Sequence, residues 1–102
     1  MTDPTPGDIL RHEFMTPLGL SMTALAIVLR VPLSRIHGIV RGTRGITPDT
    51  ALRLSRYFGT SAQFWLNLQM QYDLRRACDG SKIDQEITPY DGEWARSDTP
   101  RG

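Results

Sequence analysis

Cysteine occurs once, at Cys78, and histidine twice, at His12 and His37. One thiol forms no internal disulfide, and so few Cys and His supply no cluster at metal-ligand spacing. No metal or other cofactor is therefore expected, and Cys78 reads as a small, semi-apolar residue near a helix end. Long apolar runs are also missing: the longest, residues 24–29, is helix-core length, far short of the ~18 residues of a membrane span. The start, Met1-Thr2-Asp3-Pro4, has no basic stretch feeding an apolar one, so a cytoplasmic protein without membrane contact is expected. Net charge is nearly absent too. With 12 basic and 11 acidic side chains in 102 residues and 39% of them apolar, the chain fits one small globular domain, not a disordered polymer or two domains.

What charge there is lies unevenly. Residues 30–56 hold six arginines (Arg30, Arg35, Arg41, Arg44, Arg53 and Arg56) and one acid, Asp49, a surplus of +5. Residues 81–102 hold three bases and five acids, a balance of −2. The middle is thus a candidate polyanion surface, and the arginine fork suits phosphates and base edges better than an ammonium does. A solvated helix face is the plainer alternative.

Apolar periodicity and punctuation predict five helices. Pro6-Gly7-Asp8 opens the first, with Ile9, Leu10 and Phe14 inward, and Pro17 with Gly19 ends it. Ser21 caps the second, whose stripe is Met22, Leu25, Ala26 and Leu29; Pro32 stops it and suits the first turn of the third. In the third, Leu33, Ile36, Ile39 and Val40 are apolar, Ser34, Arg35, His37 and Arg41 face out, and Gly42 stops it. Thr47-Pro48-Asp49 starts the fourth, with Ala51, Leu52, Leu54, Ser55 and Phe58 inward and Gly59 at its end. Ser61 caps the fifth, which runs to about residue 78 and is apolar on two sides: Phe64, Trp65, Leu68 and Tyr72 on one, Leu66, Met70, Leu74 and Ala77 on the other. Such a helix needs two partners, so a homodimer through Leu66, Met70 and Leu74 is expected. The domain is placed at 6–79, with 80–102 a polar, partly ordered tail in which Glu86-Ile87-Thr88 is a candidate short strand.

The second and third helices, joined by a tight turn, form a helix-turn-helix arrangement. Ala26 is small where they cross, Val31 plugs the turn, and Ile36 and Ile39 anchor the second member. Five arginines on or beside that member raise DNA binding above a chance pattern. Ser34, Arg35 and His37 then sit where side chains reach base edges. Arg30, Arg41, Thr43 and Arg44 are the candidate phosphate contacts. For Arg35 an ion pair with an acid stays open, and for His37 a solvated surface position does.

The sequence resembles the HigA antitoxins, a branch of the lambda-repressor-like helix-turn-helix regulators, over about residues 6–74. The resemblance is carried by Pro6-Gly7-Asp8-Ile9-Leu10, by the run from Gly42-Thr43-Arg44-Gly45-Ile46 through Thr47-Pro48-Asp49-Thr50-Ala51-Leu52-Arg53-Leu54, and by Gly59-Thr60-Ser61-Ala62-Gln63-Phe64-Trp65-Leu66-Asn67-Leu68-Gln69 with Tyr72-Asp73-Leu74. It implies an all-α, five-helix DNA-binding domain, a dimer that binds operator DNA and represses its own operon. It also implies a cognate HigB-type toxin, an RNase similar to RelE, which the antitoxin binds and silences. Two residues depart from the wider pattern: Met22 stands where a phosphate-binding Gln is frequent, and Arg30 where the turn usually has Gly. A basic toxin is complemented by acidic and aromatic elements, which points to the tail, with Ile87, Tyr90 and Trp94; Asp8 and Glu13 on the first helix are the competing surface. A stand-alone repressor differs only in lacking the toxin. An enzyme would have to use His12, Glu13 and His37, which no motif links.

Overall fold

The computed structural model describes residues 4–90, and all their regular structure is helical. Six helices follow one another: α1, Pro6–Leu18; α2, Met22–Leu29; α3, Leu33–Arg41; α4, Pro48–Phe58; α5, Ala62–Cys78; and a single turn, α6, Ile83–Glu86. Five of them are the expected ones. Among the described residues no single helix is long and apolar enough to cross a membrane.

The starts follow hydroxyl chemistry. Ser21, Thr47 and Ser61 each accept a first-turn amide, from Ala24, Thr50 and Phe64. Thr5 does the same for α1 within a reciprocal pair: its hydroxyl accepts from the Asp8 amide at 3.0 Å, and the Asp8 carboxylate accepts from the Thr5 amide at 2.9 Å. Gly19 closes α1 in a left-handed conformation, whereas Pro17, expected to share in that stop, lies inside the last turn. The turns before it, Leu10–Met15, are π-helical, with the Thr16 amide bonding back to the Arg11 carbonyl. A widened helix relaxes the clash between a proline ring and the carbonyl four residues back, so the chain continues. Beyond Gly19 the path bends by 94° into α2.

Leu10, Leu25, Ile36, Ile39, Leu54 and Trp65 lie fully or almost fully out of solvent at the centre, one or more from each of α1 to α5. Trp65 is the largest, stacked at a tilt on Phe14 with ring centroids 4.8 Å apart, and its indole N–H donates to the Thr60 hydroxyl at 2.7 Å. Its polar edge is thereby satisfied inside the core.

Two expectations are corrected. Leu52, placed on the inner side of α4, is 62% exposed. At 100° per residue the inward arc centres on Thr50, Ala51 and Leu54, and the buried place goes to Thr50, whose amide bonds to Thr47. The candidate strand at Glu86-Ile87-Thr88 does not form. Glu86 closes a helical turn on the Lys82 carbonyl, and residues 87–90 have no regular structure and make no ladder with another described segment. Residues 91–102, with Trp94, fall outside the described residues.

Candidate nucleic-acid interface

The α2–α3 turn is built around one left-handed residue. Arg30, at φ 58°, is the sole non-glycine with positive φ among the described residues. Its amide and that of Val31 return to the last carbonyls of α2, Val31 to Ala26 at 3.1 Å. This is the glycine-type helix stop, made here by an arginine. Val31 packs half-buried against the core, Ala26 is buried at the crossing, and Pro32 precedes the first residue of α3 as its cap. Met22, at the residue where Gln is frequent, also packs partly buried against the core.

With Ile36 and Ile39 pointing inward, the opposite side of α3 is open. Leu33, Ser34, His37, Gly38, Arg41 and Thr43 line a shallow groove of about 450 Å³. Four of the seven expected contacts therefore share one surface: Ser34, His37, Arg41 and Thr43. The loop after α3 is folded onto it. The Gly38 carbonyl accepts from the Thr43 amide at 2.9 Å, the Arg44 amide at 3.1 Å and the Thr43 hydroxyl at 3.3 Å, while Gly42 turns at φ 82°. A Cβ on Gly38 would stand 3.0 Å from that of Arg44, so the bare glycine lets the loop close. Arg44 then faces an adjoining polar cleft of about 160 Å³, shared with Thr43, Gly45, Tyr72 and Arg76.

Arg35 and Arg30 are placed differently. The Arg35 guanidinium donates to the Asp49 carboxylate at 2.8 Å, and the same oxygen, Oδ2, accepts from Nε of Arg53 at 2.9 Å. Arg53 in turn donates to the Leu29 carbonyl at 2.9 Å, at the end of α2. The expected ion pair of Arg35 thus exists, and it belongs to a chain running from α3 through α4 to the turn. Both arginines hold the exposed Asp49 carboxyl below its ordinary value, Arg53 chiefly, through a hydrogen bond. Arg30 lines a neighbouring hollow with Val28, Leu52 and Tyr57 and with the charged Asp49, Arg53 and Arg56.

Sequence reasoning missed Asp49, Arg53 and Gln69. The spacing of Asp49 and Arg53, four apart on a helix, is a readable ion-pair signal. No local signal announces Gln69, whose side-chain carbonyl accepts from the buried Ile46 amide at 2.8 Å and whose amide donates to Asp73 at 2.9 Å.

Away from this surface, Met70 is 53% and Leu74 59% exposed, and with Leu66 and Ala77 they line a groove of about 460 Å³ on α5. Leu66 itself is half-buried against the core, so the stripe is anchored at one end. Ile87 and Tyr90 are exposed. Among the described residues no three His, Cys, Asp or Glu side chains are grouped to hold a metal ion, and His12 and Glu13 sit on the exposed side of α1.

Comparison with known proteins gives these surfaces their context. The model of the helix-turn-helix family HTH_3 matches residues 12–65. Virulence-associated protein I of Dichelobacter nodosus is 62% identical over 72 residues, 71% of this chain and 67% of that protein. The structure of an addiction module antidote protein of the HigA family from Coxiella burnetii superposes with a TM-score of 0.82 at 46% identity, covering 88% of this chain and all of that one. The Pseudomonas aeruginosa antitoxin HigA, solved with the higBA promoter, gives 0.79 at 49% identity over 83% of this chain and 95% of its own.

Proposed function

Because the chain belongs to the HTH_3 helix-turn-helix family and to its HigA-like branch, we propose that it is an antitoxin that binds operator DNA as a homodimer, represses its own operon and neutralises a HigB-type, mRNA-cleaving toxin. The observation that carries the DNA reading is the open side of α3. Ser34, His37, Arg41 and Thr43 line one groove, and the loop that carries Arg44 is bonded back onto α3 beside it. Ser34, Arg35 and His37 read bases. Arg30, Arg41, Thr43 and Arg44 hold phosphates, the loop amides helping. The homodimer forms through Leu66, Met70 and Leu74 and sets half-sites about one helical turn, ~34 Å, apart.

The toxin reading rests on family membership and on charge. A toxin that handles RNA is basic, and the acidic segment 80–102, with Ile87, Tyr90 and Trp94, is its complement outside the helical body 6–79. The testing experiment is to co-express the chain with the product of the neighbouring reading frame, purify the complex and titrate it against its own promoter. A stable complex that shifts the promoter is expected; a chain that binds neither overturns the proposal. Arg44→Ala is expected to weaken binding to all sequences alike and to flatten the dependence of log affinity on log salt by about one unit. An unchanged salt slope removes Arg44 from the phosphate contacts. A chain truncated after Gly80 is expected to keep DNA binding and lose toxin affinity; undiminished neutralisation moves the docking surface to the helical body.

A further inference from the structure

The proposed base reader Arg35 does not project freely. Its guanidinium spends one N–H on Asp49, leaving its remaining donors for a base edge. Asp49 is itself held. The oxygen that binds Arg35 also takes Nε of Arg53, and Arg53 reaches across to the carbonyls of Leu29, at 2.9 Å, and Arg30, at 3.5 Å. Both ends of this chain of bonds matter. One is the third residue of α3; the other is the main chain of the turn that sets the angle between α2 and α3. The side chains are 30–55% exposed, so these bonds are too screened to be chiefly a source of stability. As the one acid among the six arginines of residues 30–56, Asp49 also subtracts from the field that attracts a polyanion.

From this we infer that Asp49 is a positioning residue for base recognition: it holds the Arg35 guanidinium in one orientation relative to the helix-turn-helix turn, and so raises discrimination between sequences while lowering affinity for DNA in general. The inference rests on Arg35 as a base reader. A long arginine left to its own rotamers loses side-chain entropy when it docks bidentate on a base and can equally swing to a nearby phosphate. Pinned by one N–H, it presents its free edge in the same place each time. Arg53 fixes the pin to the turn.

The test is binding of the full-length protein to a pool of randomised duplexes, sequenced before and after selection, with affinity for a scrambled duplex measured in parallel. Circular dichroism checks the fold of each variant. Arg35→Ala is expected to lose about 5- to 150-fold discrimination at the bases it reads. Asp49→Asn is expected to lose about three- to tenfold at the same bases while binding the scrambled duplex about two- to fivefold more tightly at low salt. Arg53→Ala is expected to lose discrimination at those bases too, while binding the scrambled duplex more weakly. Opposite charge changes with the same loss of selectivity distinguish positioning from field strength and from damage to the fold. If Arg35→Ala leaves every position unchanged, the base-reader assignment falls and the inference with it. If Arg35→Ala loses selectivity and Asp49→Asn keeps or sharpens it, Asp49 merely sequesters Arg35, and the inference alone is overturned.

Discussion

The open side of α3 and the outer half of α5 are both exposed, and they are built on opposite plans. Around α3 some polar side chains are already engaged: Arg35 and Arg53 on Asp49, Thr43 on the Gly38 carbonyl. Along α5 beyond Gln69 two large apolar side chains, Met70 and Leu74, are exposed, and with Leu66 and Ala77 they line a shallow groove. A rigid, charged ligand rewards side chains fixed in advance, since little freedom is left to lose on binding. An apolar contact rewards area instead, and flexible methionine adapts to its partner. The difference teaches that one face has part of its polar surface fixed in advance, while the other leaves apolar area uncovered.

The largest expected effect tests the apolar side. Met70→Glu places an unpaired charge in the proposed dimer contact at about 3–5 kcal/mol per buried site, enough to leave monomers. Light scattering is expected to show half the mass with helix content intact; an unaltered dimer removes the outer half of α5 from the contact. Next comes the border between the regions. Gln69→Ala strands the buried Ile46 amide and is expected to cost about 1–3 kcal/mol in urea unfolding, with looser DNA binding because the loop after α3 loses its tie to α5. Such an effect runs from one surface to the other through a single side chain.

The smaller effects sharpen the polar side. Arg30→Gly relieves a left-handed residue worth about 1–2 kcal/mol, offset by about 0.5–1 kcal/mol of added chain entropy. A net gain of a few tenths in thermal stability is expected together with weaker DNA binding, opposite signs that a loss of packing would not produce. Smallest is the acid limb. The folded carboxyl of Asp49 lies below its ordinary value of 3.8, so its ion pairs stabilise the fold fully above that value. The contribution fades as pH falls through the depressed value. Asp49→Asn is therefore expected to narrow its stability difference from the parent chain at the acid end, and, with more than half of the side chain exposed, by little.

Much of this was readable from local chemistry. Hydroxyl caps at Ser21, Thr47 and Ser61 and glycine stops at Gly42 and Gly59 depend only on neighbours three or four residues away, and all five hold. The left-handed turn at Arg30 was legible as an arginine in a glycine's place. Illegible were features set across the fold. The passage of α1 through Pro17 depends on a π-helical stretch that no residue pattern announces, and the exposure of Leu52 depends on which arc of α4 meets the core. Arg35 with an acid was a fair expectation, but the acid lies fourteen residues on, in another helix. The tail failed for a simpler reason: a strand needs a neighbour, and β-favouring residues cannot supply one.

One contact sets a mechanical tolerance for the helical body. Gly7, in the first turn of α1, has no room for a Cβ, which would run into the carbonyl of Ile39 in α3. The two helices therefore meet main chain to main chain, and their spacing is set by covalent dimensions that no rotamer can alter. It works like a machined stop: side chains elsewhere on α1 can drift over generations without moving the reading helix. A single methyl at Gly7 would act as a shim, pushing α3 away from α1 and shifting the groove that α3 carries.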